Sequence, residues 1–242
     1  MSYKVICHMA MSMDGKIAGA YLGTENFSPY GKIYDELLMR FNLNNWICGR
    51  VTFQQDITND QPIEYSSQRP MISSREDYLA DPSAKSYAIA IDPNGKIGWS
   101  TNQIGEEYPE RKGDHIVAIL SEAVSDEYLG YLKEKQISYI FAGKDKPLFL
   151  KVALDKLSDY FKIDTFLVAG GGIINGFFAQ EELIDEWSLL IIPTIEGTFA
   201  ATSLVETPMT NEIFKQNYEL SKIEKVGENG VWLRYKKQAY TR

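Results

Sequence analysis

The 242 residues suffice for one large domain or two small ones, and a hydrophobic content of 44% supplies a substantial core. A net charge of −8 and a pI of about 4.9 argue against a nucleic-acid or anionic-membrane surface. No apolar run approaches the ~18 residues of a membrane span, and Met1-Ser2-Tyr3-Lys4 leads straight into a strand rather than a signal-peptide apolar region, so a cytoplasmic protein is expected. Cys7 and Cys48 both lie in apolar strand-like runs, the pattern of buried free thiols in a reducing compartment.

Taken in order, Lys4 to Ala10 reads as the first strand, broken by the turn chemistry of Ser12-Met13-Asp14-Gly15-Lys16. Ile33, Leu37 and Phe41, with Tyr34 and Leu38 beside them, recur at helical spacing, and Ser28-Pro29 supplies the helix start. Trp46-Ile47-Cys48 is a short buried strand closed by Gly49. Residues 54–85 are polar and broken by Pro62, Pro70 and Pro82; they read as a loop insertion holding a short strand at Met71-Ile72-Ser73-Ser74. Tyr87 to Ile91 is a strand stopped by Asp92-Pro93-Asn94-Gly95, and residues 99–114 are a second loop insertion. Ile116 to Leu120 is a strand, and Ser125 caps a helix bearing Tyr128, Leu129 and Leu132. Ile137 to Phe141 is the next strand, and Pro147 opens a helix carrying Leu150, Leu154 and Leu157.

The strand at Phe166-Leu167-Val168 runs into Gly170, Gly171 and Gly172, and a helical pattern follows to about Ala179. Three glycines turn the chain sharply and leave backbone N–H groups uncovered. The helix behind them adds free N–H groups and the positive end of its dipole, a combination suited to nucleotide phosphates. A tight turn without a ligand is the alternative. The usual dinucleotide fingerprint is not met: Asn175 occupies its third glycine position, and Leu189-Leu190-Ile191 stands where its acidic residue belongs. Trp187 to Ile192 is a strand ended by Pro193, and Glu228-Asn229-Gly230 joins Tyr218–Val226 to Val231–Lys237 as a hairpin. This alternation predicts an α/β fold in one domain over residues 1–242, with a largely parallel sheet covered on both faces and antiparallel strands at one edge.

In such sheets ligands sit outside the carboxyl ends of the strands. Three turns qualify: Ser12 to Lys16, Gly49 to Asp56, and Gly170 to Gly172. Ala10-Met11-Ser12-Met13-Asp14-Gly15-Lys16-Ile17-Ala18 resembles the opening of the riboflavin-biosynthesis reductase domain, the C-terminal half of the bifunctional deaminase–reductase. Gly49-Arg50-Val51-Thr52 with Asp56 matches that family's Gly-x-x-Thr-x-x-x-Asp. Val168 to Gly176 matches its glycine turn, and Leu183-Ile184-Asp185-Glu186 with Ile192-Pro193 and Gly197 matches the segment beyond.

The resemblance implies a dihydrofolate-reductase-like, three-layer α/β/α fold and a homodimeric, NADPH-dependent oxidoreductase. Its small-molecule substrate would be a phosphoribosylamino-pyrimidine, whose sugar ring opens to an imine and is reduced to a ribitol chain. Carried over residue by residue, Gly170, Gly171, Gly172 and Ile173 would hold the cofactor pyrophosphate, and Gly49, Arg50 and Thr52 would also face the cofactor. Ser12, Lys16 and Asp56 would face the substrate, with Lys16 and Asp56 as the catalytic pair. A Lys amine binds phosphate or hydroxyl and supplies a proton, and an Asp accepts hydrogen bonds from sugar hydroxyls. Lys96 falls where the family often has an Arg near the adenosine 2′-phosphate.

Each assignment has a plainer alternative: Lys16 as a solvated turn lysine, Asp56 as a loop carboxylate, Arg50 as a surface ion pair, Thr52 as a helix cap, Lys96 as a surface residue. Asp14 reads as an Asx-turn ahead of Gly15. One departure bears on the substrate. The riboflavin enzymes commonly carry a substrate-facing Glu directly before the glycine pair, and here that position is Ala169. It keeps open a reductase of the same fold and cofactor acting on another pterin- or pyrimidine-like compound, beside a non-catalytic nucleotide-binding protein. The sequence pairs no His-x-Glu with Pro-Cys-x-x-Cys, which excludes a zinc deaminase. His8 and His115 stand isolated in strand-like contexts, so no metal site is expected.

Overall fold

The computed structural model describes residues 3–207 and 214–238. In chain order the elements are β1 (Lys4–Ser12), α1 (Ser28–Met39), β2 (Asn45–Gly49), the single turn α2 (Arg50–Thr52), β3 (Tyr87–Ile91), β4 (His115–Leu120) and α3 (Asp126–Glu134). Then come β5 (Ser138–Phe141), α4 (Leu150–Phe161), β6 (Thr165–Val168), α5 (Gly172–Gln180), β7 (Glu186–Ile192), β8 (Tyr218–Val226) and β9 (Gly230–Lys237). They fall into two units: a middle unit of Met1–Tyr3 and Asn44–Asp164, and a terminal unit of Lys4–Leu43 and Thr165–Arg242.

In the middle unit the strands run parallel in the order β5-β4-β3-β2. Every residue of these four strands is buried, which is why their sequences are continuous apolar runs rather than alternating ones. Helix α4 buries Leu150, Ala153, Leu154, Leu157 and Phe161, a stripe at helical spacing, and stops at Lys162 in the left-handed conformation. The Ser125 hydroxyl accepts from the Tyr128 amide, and Asp126 and Glu127 complement the dipole of α3.

In the terminal unit β6, β1 and β7 are parallel, and β9 and β8 continue antiparallel from β7. Helix α1 contributes Tyr30 and Leu37 to a cluster with Leu190, Ile192, Val226 and Trp232. His8 is fully buried, bonded to Ser188 Oγ at 2.8 Å and to the Tyr34 carbonyl at 3.2 Å, and stacked on the Tyr34 ring. Helix α5 packs so closely that a Cβ on Gly176 would lie 2.0 Å from the Glu206 carbonyl oxygen. Gly176→Ala is therefore expected to destabilise the protein by about 1–3 kcal/mol through overpacking. That outweighs the ~1 kcal/mol by which Ala is the better helix former; thermal unfolding of the variant measures it.

Four local expectations change. Strand β1 runs two residues past Ala10, because Ser12 is buried and pairs with Ile192. The strand expected at residues 71–74 is absent, and Met71 is almost fully exposed. That loop instead pairs at Tyr78 with Tyr139 and ties Asp77 to the Phe141 amide and Lys156. Helix α4 starts at Leu150 rather than Pro147, since Phe149 is extended and donates its N–H to the Ala142 carbonyl at 2.8 Å. Helix α1 ends at Met39, leaving Phe41 beyond it and packed on the same cluster by tertiary contact.

Candidate active site

The predicted site residues fall into two groups. Ser12, Lys16 and Gly170 to Ile173 belong to the terminal unit, and Gly49, Arg50, Thr52 and Asp56 to the middle unit.

In the terminal unit three parallel strands present their carboxyl ends on one edge, so the loops after β1, β6 and β7 are neighbours. The first loop is built on Ser12. Its buried hydroxyl donates to Asp14 Oδ1 at 2.6 Å and accepts from the Lys16 amide at 3.0 Å. Ser12 is thus committed inside the loop. Asp14 does more than shape a local turn: it also accepts the amides of Glu196 at 3.1 Å and Gly197 at 2.9 Å, from the segment after β7. The bonds from Ser12, Gly197 and Glu196, in that order, hold its carboxyl down at about 2.

The glycine turn uses each glycine differently. Gly170 has φ +92°, and a Cβ there would come within 2.8 Å of the Met9 side chain. A Cβ on Gly172 would lie 2.3 Å from the Ser203 carbonyl oxygen. Gly171 is the open one: its φ of −67° is ordinary, and a Cβ there would meet nothing within 4 Å. The first helical bond of α5 runs from the Asn175 amide to the Gly171 carbonyl at 2.9 Å. The amides of Gly172, Ile173 and Ile174 therefore have no intrahelical acceptor. A bare backbone with open space above it, at a helix N-terminus, fits an anionic diphosphate. Asn175 breaks the glycine fingerprint for a packing reason: it is fully buried, donates to the Leu204 carbonyl at 2.8 Å and accepts from Cys7 Sγ at 3.4 Å.

Lys16 is half-buried, and its ammonium donates to the Ala201 carbonyl at 2.8 Å and to Ser203 Oγ at 3.0 Å. Backbone bonds from Ile17 to Thr202 and from Leu204 to Gly15 zip the same segment to the loop. Among the described residues no carboxylate lies within ion-pair distance of Lys16. Its positive charge is held by neutral acceptors and stays available to an anionic or hydroxyl-bearing ligand. Ala201, Ser203 and Glu206 were not legible as site residues; the sequence around them offers only a run of small residues beyond Gly197.

In the middle unit Gly49 ends β2 in an extended conformation and is the N-cap of α2. The Arg50 guanidinium is half-buried and bonded to the Gln54 side chain. Thr52 lies inside the turn and makes no side-chain cap bond, which removes its reading as a helix cap. Asp56 sits in the wider turn that follows, where crowding on one side raises its carboxyl above the usual range. Asp92, fully buried at the end of β3, uses one carboxylate oxygen to accept the amides of Lys96 at 2.6 Å and Ile97 at 3.0 Å. Burial raises its carboxyl, and the Arg50 charge is among the smaller influences opposing that rise. The Lys96 side chain is exposed. Among the described residues there is no cluster of three or more His, Cys, Asp or Glu able to hold a metal, and no helix is long and apolar enough to cross a membrane.

The profile of the RibD C-terminal domain matches residues 109–232, which includes the glycine turn and α5. No curated protein matches the chain significantly. Among solved structures, the chain is similar to a pyrimidine reductase-like protein from Corynebacterium diphtheriae, with 14% identity over 98% of this chain and 92% of that one and a TM-score of 0.68. It is similar to RibD from Acinetobacter baumannii, with 18% identity, coverage of 98% and 58%, and a TM-score of 0.63. It is also similar to the riboflavin biosynthesis reductase Rib7 from Saccharomyces cerevisiae, with 16% identity, coverage of 98% and 90%, and a TM-score of 0.58. The chain spans 58% of the length of the Acinetobacter RibD. At such identities the likeness establishes the fold alone, a mixed α/β fold with a mostly parallel sheet and an antiparallel hairpin that this chain shares with these proteins. With the profile match extending over half of the chain, the protein belongs to the RibD C-terminal domain family.

Proposed function

We propose that the protein is an NADPH-dependent reductase of the type of 5-amino-6-(5-phosphoribosylamino)uracil reductase. The observation that carries this reading is the open backbone at Gly171, backed by first-turn amides of α5 that have no intrahelical acceptor. In this reading the amides of Gly171, Gly172 and Ile173 hold the cofactor diphosphate. The bound cofactor supplies the hydride, so the chain itself needs no nucleophile. What the side chains contribute is position and proton control. Lys16 Nζ, bonded to the Ala201 carbonyl, keeps an N–H direction for the substrate and holds a proton for the sugar ring oxygen as the ring opens. The working form is a homodimer in the cytoplasm.

A second reading keeps fold and cofactor and changes the substrate. Ala169 favours it, because the family's substrate-facing carboxylate is missing directly before Gly170. Oxidation of NADPH, followed at its absorbance band against phosphoribosylamino-pyrimidines and dihydrofolate, separates the two readings. Turnover of the ribosylamino compound alone supports the first, and turnover of another acceptor alone supports the second. NADPH binding without turnover of any acceptor leaves a nucleotide-binding protein.

A further inference from the structure

The strap from Thr194 to Glu206 comes back over the first loop and carries two polar side chains that the function above does not use. Ser203 pairs with Lys16 as an antiparallel bridge, and its hydroxyl accepts from Lys16 Nζ at 3.0 Å. The Ser203 amide in turn donates to Glu206 Oε1 at 2.8 Å. Glu206 is anchored on the glycine turn, its own amide donating to the Gly172 carbonyl at 2.9 Å. A chain of contacts therefore runs from the start of α5 through Glu206 and Ser203 to the Lys16 ammonium.

We propose that Ser203, steadied by Glu206, is the positioning residue of Lys16. A lysine side chain gives up about 2 kcal/mol of rotamer entropy when it is held in one place. Here two neutral oxygens hold it, so the direction of Nζ is fixed while its charge is not neutralised. Glu206 is the carboxylate nearest to this arrangement along the strap, and it is turned to the Ser203 amide instead of the ammonium. A direct ion pair would anchor Lys16 equally well and would spend the charge that a ligand needs. The assignment of Lys16 to the reaction rests on the proposed function; the positioning of its amine by Ser203 does not.

The test is competitive reductive methylation of the full chain, reading the labelling rate of Lys16 against exposed Lys96 by mass spectrometry. In the wild type Lys16 is expected to label more slowly than Lys96. Ser203→Ala should raise the Lys16 rate by roughly tenfold or more, the loss of one charge-assisted hydrogen bond. Ser203→Thr, which keeps the hydroxyl, should restore it, and Glu206→Ala should give a smaller rise. With an active acceptor in hand, Ser203→Ala should lower kcat and leave the KM for NADPH unchanged. Equal labelling of Lys16 and Lys96 in the wild type would overturn the proposal even if Ser203→Ala failed to fold. An unchanged Lys16 rate in folded Ser203→Ala would do the same. A labelling response in a protein that reduces no acceptor would leave the positioning standing and remove the reductase reading instead.

Discussion

Gly171→Asp is expected to abolish NADPH binding while the fold survives. The backbone at Gly171, with φ −67° and ψ −173°, lies in a region any L-residue adopts, and a Cβ there meets nothing within 4 Å. The stability change should stay near the ±0.5 kcal/mol of a surface substitution. Its aspartate would instead project a negative charge into the space proposed for the diphosphate. At a separation of ~4 Å and an effective dielectric of ~20, like charges repel by about 4 kcal/mol, roughly a thousandfold in affinity. Fluorescence titration with NADPH reads the affinity, and thermal unfolding reads the fold. Gly171→Ala separates size from charge: it should cost far less than the aspartate. The flanking glycines would not give so clean a result, because Cβ atoms at Gly170 and Gly172 would strike Met9 and the Ser203 carbonyl. Unchanged affinity in Gly171→Asp would remove the glycine turn from the site.

Lys16→Ala is expected to have the opposite signature, with turnover lost and cofactor binding kept. Removing a positioned proton donor typically costs about 10²–10⁴-fold in rate, and none of the amides of the glycine turn depends on the Lys16 side chain. The variant should remain folded, since the first loop is held independently by Ser12, Asp14 and the backbone bonds to Thr194 and Thr202. The measurement is kcat with the active acceptor beside an NADPH titration. Full activity would show that the first loop is structural. Equal loss of binding and turnover would show that Lys16 serves the cofactor.

The parts of the fold that were legible in the sequence are those fixed by local pattern. Tyr87 to Ile91 is a strand with the bounds its apolar run predicts, because a strand buried on both faces leaves no polar residue to blur its ends. The Asn229-Gly230 turn marks the β8–β9 hairpin for the same kind of reason. The glycine turn was legible as a turn, but the division of labour among its glycines was not. Gly172 is required by a carbonyl from residue 203, about thirty positions away, and no local pattern records that approach. Ser12 reads as a turn serine, yet pairing with Ile192 carries β1 through it. Pro147 suggested a helix start where tertiary bonding of Phe149 delays the helix to Leu150. Ser203 and Glu206 were illegible altogether, because a hydroxyl and a carboxylate acquire their roles only when the strap folds back onto Lys16. In the candidate site, the sequence supplied the residues that carry charge and bare backbone, and the fold supplied those that hold them.

The most direct measurement is a crystal structure of the protein soaked in NADPH. Diphosphate density is expected within hydrogen-bond distance of the amides of Gly171, Gly172 and Ile173, with no side chain in between. Cofactor bound elsewhere, or a side chain filling the space above Gly171, would contradict it.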